Sequence, residues 1–315
     1  MTQSSAPATL AVVIVSYRAR QLLAECLDSL FAHPPAMPWE AVVVDNASDD
    51  GSADLVRKRY SAVRLLANDA NLGFARAANQ GASAARADFV CFLNSDARVM
   101  PGTLDRLVAI LRQQPGVGAV GPRTTGSDGH VIRSCFKFPT LARPLFNVRP
   151  LRTVLGPSTL ALAYEPWDPT TTRAVDWVSG ACLMVRRDAL ERLGAFDPEF
   201  FMYFEDVDLC RRLWVAGRAV WYVGDAVVVH HTRGSTLGVH TPGLFLMEQR
   251  SRLRYFRKHY GVPGMVFIRG AMGLAALWHL AALPFQRGPA RASQGVRVNL
   301  DLLREALAPA RGPRP

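Results

Sequence analysis

Residues 41–96 read AVVVDNASDDGSADLVRKRYSAVRLLANDANLGFARAANQGASAARADFVCFLNSD. Short apolar segments alternate here with segments of helical composition. With the residues that precede this stretch included, the predicted strands are 10–15, 41–44, 62–66 and 89–93. The predicted helices between them are 21–31, 52–59 and 75–85. The apolar segments are continuous, as in strands that are buried on both faces. The repeat therefore predicts an α/β domain with a mostly parallel sheet flanked by helices.

The composition is that of a globular protein: 315 residues, 49% hydrophobic and 20% charged. This length allows one large domain with an appendage, or two domains. The five cysteines include no CxxC pair, which argues against a disulfide framework or a zinc site. The N-terminus lacks the basic and long apolar regions of a signal peptide. We therefore expect a protein of the cytoplasm.

The net charge of +11 is concentrated at one end. Residues 240–315 contain twelve Lys and Arg against three Asp and Glu, a balance of +9. This division is typical of a near-neutral enzyme with a basic tail, and it argues against a nucleic-acid-binding protein. We expect a catalytic domain at 1–239 and a helical, membrane-associated extension at 240–315.

The extension combines a basic amphipathic segment, 244–259, with an apolar one, 264–285. About 22 residues are enough to span a bilayer, but Arg269 and His279 interrupt the apolar segment. Interfacial or hairpin attachment beside the basic helix, at an anionic membrane surface, is the favoured interpretation. The alternative is a helical pair that packs on the catalytic domain or on a second subunit of a homodimer.

Polar residues follow three of the predicted strands: Ser16 and Tyr17, Asp45 and Asn46, and Asn94-Ser95-Asp96. Ligands of parallel sheets bind beyond these carboxyl ends, which predicts a nucleotide cleft. Asp45 there could accept hydrogen bonds from a base or a ribose, or it could be only part of a turn. Asp96 could hold a divalent cation beside Asn94, or it could cap a helix.

The segment NLGFARAAN at 71–79 opens a predicted helix. Its glycine, Gly73, permits close backbone approach, and a helix N-terminus favours phosphate oxygens. An ordinary strand-to-helix turn would have the same sequence. By contrast, residues 139–176 show little periodicity, which predicts a long lid or acceptor loop.

Three acids, Glu205, Asp206 and Asp208, stand at the start of a predicted helix. The helix dipole alone would favour them there, but the cluster also suits a general base. His230 and His231 end a predicted strand at 226–229, where an imidazole could complete a metal site or have a purely structural role.

Seven segments together resemble the family 2 inverting glycosyltransferases of GT-A type, in particular the bacterial rhamnosyltransferase-like branch. They are VVIVSY (12–17), VVVDNASDDGS (42–52), NLGFARAANQG (71–81), FLNSD (92–96), DWVSGACLMVRR (176–187), FDPEFFMYFEDVDLCRRL (196–213) and VVHH (228–231). They cover about the first 235 residues in the order that the family has.

The resemblance implies a nucleotide-sugar site, a metal site and a catalytic base. The implied nucleotide-sugar residues are Ser16, Tyr17, Asp45, Asn46, Asn71, Gly73, Phe74, Asn79, Asn94 and Asp96. The implied acceptor residues are Trp177, Ser179 and Gly180, and the implied metal ligands for Mg²⁺ or Mn²⁺ are Asp96 and His230. Asp206, with Glu205 beside it, matches the family's catalytic acid pair. The first acid of the family's metal motif is Asn94 here.

The implied activity is transfer of a sugar, with L-rhamnose from dTDP-rhamnose as the first expectation, to a cell-envelope glycan or a lipid-linked acceptor. UDP- and GDP-sugars are the alternative donors. The expected location is the inner face of the cell membrane. A nucleotidyltransferase would more typically carry a Gly- and Lys-rich phosphate loop where this chain has SYRARQLL. A non-catalytic sugar-nucleotide-binding module is a further alternative.

Overall fold

The computed structural model describes residues 8–141, 168–231, 242–282 and 289–307. Its strands are β1 Ala8–Ser16, β2 Trp39–Asp45, β3 Val63–Ala67, β4 Ala87–Asn94, β5 Ala97–Val99, β6 Val117–Thr125, β7 Val131–Ile132, β8 Cys135–Phe136, β9 Arg173–Val175, β10 Trp177–Val178, β11 Cys182–Arg186 and β12 Ala219–His230. Its helices are α1 Arg20–Ala32, α2 Ser52–Arg59, α3 Phe74–Ala84, α4 Thr103–Gln113, α5 Arg187–Leu193, α6 Glu205–Val215, α7 Pro242–Ala282 and α8 Pro289–Leu307.

Most strands form one mixed sheet in the order β3-β2-β1-β4-β11-β6-β12-β5. Strands β3, β2, β1 and β4 run parallel to one another, and β11 lies antiparallel between β4 and β6. Strand β7 pairs with β6, β9 pairs with β12, and β8 and β10 form a separate two-stranded ribbon. The predicted mostly parallel sheet with flanking helices is confirmed. Strands β1–β4 and helices α1–α3 match the predicted segments within a few residues.

The buried central stretches of β1, β2 and β4 are apolar because helices cover both faces of the sheet. All residues from 10 to 14 of β1 are buried, and they pack with Leu23, Leu27 and Leu30 of α1 or with alanines of α3. Full burial of a Val, Leu or Ile side chain contributes roughly 1.5–3 kcal/mol. All five cysteines are buried and free.

One edge of the sheet brings the predicted polar residues together. In the parallel register Ser16 pairs with Asp45, and Val15 pairs with Asn94. The carboxyl ends of β1, β2 and β4 are therefore neighbours.

The prediction of a long irregular segment at 139–176 was partly wrong. Residues 173–175 form β9, which pairs with Val220, Trp221 and Tyr222 of β12. The short strand was missed because β pairing at this position depends on a distant partner strand. Residues 142–167 lie outside the described part of the chain.

The chain divides into two compact units. The first comprises Met1–Phe138 with Asp168–Val239, and the second Pro139–Trp167 with His240–Pro315. In the second, α7 is broken at Gly261, which has φ 71° and ψ −171° and is followed by Pro263. Glycine accepts this φ, and proline has no N–H to continue the helix. The two helices predicted at 244–259 and 264–285 lie on either side of this break, although residues 283–285 are not described.

Helix α8 packs on α7, and Arg250 Nε donates to Glu305 Oε1 at 2.7 Å. By length and composition, Gly243–Ala281 could cross a membrane, and it is the one such helix among the described residues.

Candidate active site

Asp45 and Ser16 supply unsatisfied polar atoms at the edge of the sheet. Both side chains are buried. Asp45 Oδ2 accepts the N–H of Ser48 at 3.0 Å, whereas Asp45 Oδ1 and Ser16 Oγ are buried without a hydrogen-bond partner in the described structure. A buried polar atom left unpaired costs about 1–3 kcal/mol, which a bound donor would recover. The N–H of a base or the hydroxyl of a ribose fits this position.

Asn46 has a different role from its neighbour. Its Nδ2 donates to Asn71 Oδ1 at 2.8 Å and to the carbonyl of Gly73 at 3.2 Å. Its Oδ1 accepts from Asn68 Nδ2 and from the N–H of Leu72, both at 3.1 Å. These four bonds use the full capacity of an amide side chain. Asn46 and Asn71 therefore shape the 68–73 loop, and direct ligand contact by either is an untested prediction.

The loop ends at Gly73, where φ is 81° and a Cβ would lie 2.5 Å from the carbonyl oxygen of Phe201. The N–H of Phe74, the first residue of α3, donates to the same oxygen at 2.6 Å. The backbone carbonyl of Phe201 thus occupies the space beside Gly73 that the missing side chain leaves open. Further along α3, Asn79 exchanges two hydrogen bonds with the backbone of Phe196, at 2.7 and 3.0 Å. Helix α3 is thereby tied to the segment that leads into the acid cluster.

The acid cluster begins α6 after two strained residues. Tyr203 and Phe204 have φ of 69° and 68°, in the left-handed region that bulky residues seldom adopt. Asp206 Oδ2 accepts the N–H of Gly180 at 2.8 Å, and its Oδ1 accepts the N–H of Val207 at 2.8 Å. The strained turn and the two amides fix the orientation of the Asp206 carboxylate.

The two neighbouring acids differ in their surroundings. Burial, and secondarily the charge of Asp206, raise the pKa of Glu205 well above its ordinary value, and its Oε2 has no hydrogen-bond partner within the described residues. Burial also raises the pKa of Asp206, but the N–H groups of Gly180 and Val207 oppose that effect. The two amides thus favour the charged form of Asp206, whereas Glu205 Oε2 has no such support and the pKa of Glu205 is raised further above its ordinary value. A raised pKa makes Asp206 a stronger base than an exposed aspartate.

Asp208 is fully buried and forms an ion pair with Arg212, Nε to Oδ2 at 2.8 Å. Arg212 also donates to the carbonyls of Leu193 and Ala195. Asp208 thus orients Arg212, which ties α6 to the loop before it. This structural role distinguishes Asp208 from Glu205 and Asp206.

Asp96 and His230 meet at the end of the sheet, with His230 Nε2 at 3.0 Å from Asp96 Oδ1. Asn94 Nδ2 lies 3.5 Å from the same ring nitrogen. The described residues contain no group of three or more His, Cys, Asp or Glu side chains that could hold a metal ion. One carboxylate and one imidazole nevertheless suit Mg²⁺ or Mn²⁺ when diphosphate oxygens complete the shell.

The predicted acceptor residues line the β8–β10 ribbon. Trp177 stacks on Phe136 with ring centroids 4.5 Å apart, and its Nε1 donates to the carbonyl of Lys137 at 3.0 Å. The N–H of Ser179 donates to the carbonyl of Ser134 at 2.8 Å. Gly180 contributes its N–H to Asp206, and a Cβ there would lie 3.3 Å from Asp206 Oδ2. Tyr17, which directly follows β1, is 43% exposed.

These features define a class. A parallel half-sheet with an unsatisfied polar pocket, a carboxylate–imidazole pair at the end of β4 and a buried acid pair on α6 are the parts of a GT-A glycosyltransferase. The sequence model described as glycosyl transferase family 2 matches residues 11–156, and that described as glycosyl transferase family group 2 matches residues 89–286. The chain belongs to glycosyl transferase family 2, and it is a glycosyltransferase.

Among curated relatives, the N-acetylglucosaminyl-diphospho-decaprenol L-rhamnosyltransferase of Mycobacterium tuberculosis is 38% identical over 244 residues. The match covers 72% of this chain and 77% of the relative.

Solved structures confirm the GT-A fold. A mannosyltransferase from Pyrobaculum calidifontis, in complex with GDP-Man and Mn²⁺, has a TM-score of 0.56 and 22% identity, over 96% of this chain and 83% of that one. S. aureus TarS 1-349 with UDP-GlcNAc has a TM-score of 0.54 and 16% identity, over 95% of this chain and 90% of that one.

Proposed function

We propose that the chain transfers L-rhamnose from dTDP-rhamnose to a sugar that is linked through a diphosphate to a lipid, with inversion at the anomeric carbon. The observation that carries the catalytic part is the Asp206 carboxylate, which the Gly180 amide holds beside Glu205, a buried acid whose pKa burial raises. The relative at 38% identity, whose name specifies rhamnose and an N-acetylglucosaminyl-diphospho-decaprenol acceptor, supports the choice of substrates.

Asp45 and Ser16 bind the nucleoside in this proposal. Asp45 Oδ1 is an acceptor without a hydrogen-bond partner, and the imide N–H of thymine or uracil could donate to it. Ser16 Oγ is available for a second polar contact. Guanine also offers a ring N–H, so this pocket by itself does not choose among dTDP, UDP and GDP donors. Asn46 keeps the 68–73 loop in place around the pocket.

Asp206 acts as the general base. It takes the proton of the acceptor hydroxyl while that oxygen bonds to the anomeric carbon and the bond to the nucleotide diphosphate breaks. A single displacement of this kind inverts the anomeric centre. In its protonated form, which its raised pKa favours, Glu205 adds no second negative charge next to the attacking oxygen.

Asp96 and His230 would hold Mg²⁺ or Mn²⁺, with Asn94 beside them. The cation would neutralise charge that develops on the departing diphosphate. The substitution of Asn94 for the family's first acid leaves a single carboxylate, which is sufficient when substrate phosphates supply further ligands.

The second unit presents an apolar surface suited to a membrane. Beyond Gly261, the exposed large apolar side chains of α7 are Val262, Val266, Phe267, Leu274, Leu277 and Trp278, and His279 is exposed beside them. Arg257 and Lys258, both exposed, precede this stripe. Each Lys or Arg near anionic lipid contributes about 1 kcal/mol, and each large apolar side chain that leaves water contributes roughly 1.5–3 kcal/mol. We infer peripheral attachment to an anionic membrane, at its cytoplasmic face.

Vesicle flotation tests the attachment. Wild type should float with phosphatidylglycerol-containing vesicles and less with pure phosphatidylcholine, and Leu277→Glu should reduce flotation. Val215→Glu is the matched control, because Val215 is 83% exposed in the first unit. Equal flotation of the two variants, or a dimer in sedimentation that Leu277→Glu dissociates, would assign the stripe another role.

The activity is tested with a panel of dTDP-, UDP- and GDP-sugars and a short-chain N-acetylglucosaminyl-diphospho-lipid, scoring product by mass spectrometry. Product from dTDP-rhamnose and loss of turnover in Asp206→Asn are expected. Product only from another donor would overturn the choice of sugar. Absence of product from every donor, with nucleotide still bound, would favour a binding module.

A further inference from the structure

Two arginines of the sheet have buried nitrogens that lack a partner. Arg98 of β5 and Arg123 of β6 are both partly buried. The Nε of each is buried with no hydrogen-bond partner in the described structure, and neither forms an ion pair with a described carboxylate. A buried guanidinium N–H without an acceptor is costly, so the arrangement favours an anionic ligand.

The two arginines lie on the same face of the sheet. Strand β12 separates β6 from β5, and in its register Val227 pairs with Arg123 and Val229 pairs with Arg98. Because residues two apart on a strand point to the same side, both arginines point away from the core side occupied by Val228. Two strand spacings across the sheet and an offset of two residues along it separate their backbones by about 12 Å.

This face is also the face of the catalytic base. Gly121 precedes Arg123 by two residues and shares its side of β6, and a Cβ on Gly121 would lie 2.7 Å from Val178. Val178 is followed by the turn that contains Gly180, whose N–H donates to Asp206. The arginine pair and the base are thus connected on one side of the sheet.

We propose that Arg98 and Arg123 bind the diphosphate of the acceptor, an inference that rests on the function proposed above and specifies how its acceptor is recognised. Guanidinium groups match phosphate oxygens through paired N–H donors, and two of them on one face can engage the two phosphoryl groups of a diphosphate. The donor diphosphate is assigned to Asp96 and His230. The diphosphate of the acceptor is the second anionic group of the reaction, and it is the one that the arginines bind.

Steady-state kinetics with two acceptors tests the proposal. The first acceptor is a short-chain N-acetylglucosaminyl-diphospho-lipid, and the second is an octyl N-acetylglucosaminide without phosphate. Arg98→Gln and Arg123→Gln should each raise KM for the first acceptor about tenfold to a hundredfold. KM for the second acceptor and for dTDP-rhamnose should not change. Arg112→Gln, at an exposed position near the end of α4, is the matched control and should behave as wild type.

The pattern of KM changes separates the two sources of diphosphate. A rise in KM for the donor would place the donor's diphosphate at the arginines and overturn the proposal. Equal effects on both acceptors, or effects no larger than those of Arg112→Gln, would also overturn it. If the glutamine variants fold poorly, Arg98→Lys and Arg123→Lys are measured in their place. They keep the charge, so they should retain part of the affinity for the first acceptor.

Calorimetry separates failure of this site from failure of the proposed function. With dTDP saturating the nucleotide pocket, inorganic pyrophosphate is titrated into wild type and the glutamine variants. If wild type turns over neither acceptor, the proposed activity fails, yet pyrophosphate binding that is lost in both variants would still support the anion site. No pyrophosphate binding by wild type would overturn the site whatever the activity.

Discussion

Two acids of α6, Asp206 and Asp208, should respond differently to removal of their charge. We compare Asp206→Asn with Asp208→Asn, which stands two residues away in the same helix. Among the described residues, Asp206 accepts hydrogen bonds from the backbone N–H groups of Gly180 and Val207. Asp208 is fully buried against Arg212. The first substitution should therefore remove activity, and the second should remove stability.

The magnitudes follow from these contacts. In Asp206→Asn one of the two backbone N–H groups meets an amide NH₂ in place of an oxygen, which costs about 1–3 kcal/mol. Relief of the negative charge beside Glu205 offsets part of that cost. Loss of a general base should lower kcat about 10²–10⁴-fold, or about 2.7–5.4 kcal/mol of activation free energy. In Asp208→Asn the buried Arg212 loses its counter-charge, which costs roughly 3–5 kcal/mol of folding free energy.

The assays are kcat per folded molecule and urea unfolding monitored by tryptophan fluorescence. We expect Asp206→Asn to unfold at slightly lower urea than wild type, with almost no turnover. Asp208→Asn should unfold at clearly lower urea and turn over at a rate close to wild type while folded. Near-normal turnover by Asp206→Asn would move the base elsewhere, and an inactive but stable Asp208→Asn would refute the division of roles between the two acids.

Three further outcomes are expected. Burial and the neighbouring charge raise the pKa of Glu205 in the folded protein, so its ionisation opposes folding once pH rises above about 4, the ordinary pKa of a glutamate. The stability of Glu205→Gln relative to wild type should therefore increase with pH. Urea titrations that show the same difference in unfolding free energy at every pH would contradict this. Gly73→Ala should lower unfolding free energy by about 1–3 kcal/mol more than Gly129→Ala, since both glycines have φ near 82° but only the first would place a Cβ against a backbone carbonyl. Asp96→Asn and His230→Ala should each weaken Mn²⁺ binding in the presence of dTDP by more than about tenfold, measured by calorimetry, because even an outer-shell partner typically contributes that much; unchanged Mn²⁺ affinity would place the cation elsewhere.

The sheet could be predicted where the sequence pattern is local. Strands β1–β4 are continuous apolar segments, and the intervening helices begin after polar turns, so each element is recognisable without its partners. Strands β5 and β9 have three residues each and depend on pairing with β12. Such strands carry no periodicity of their own, because their stability comes from a distant segment of the chain.

Within the site, the chemistry of a side chain was predictable but its partners were not. Asp45 stands at a strand end, which the sequence shows, and its Oδ1 is buried without a partner among the described residues, which the sequence could not show. Asn46 looks equally suitable in sequence, yet its amide is fully used by the 68–73 loop. Arg98 and Arg123 gave no signal at all, because isolated arginines are ordinary on a protein surface and only the register across β12 places them on one face.

The turn at 179–181 explains why the two halves of the site keep a fixed separation. The N–H of Gly180 holds Asp206, while the carbonyl of Ala181 accepts the N–H of Asn94 at 3.0 Å. One short piece of backbone thus connects Asp206, the proposed base, with the end of β4, two residues before Asp96. Backbone groups make both bonds, so no side-chain motif reveals them. Because inline displacement depends on the distance between the attacking oxygen and the leaving diphosphate, small shifts of this turn should lower kcat even where every catalytic side chain is intact.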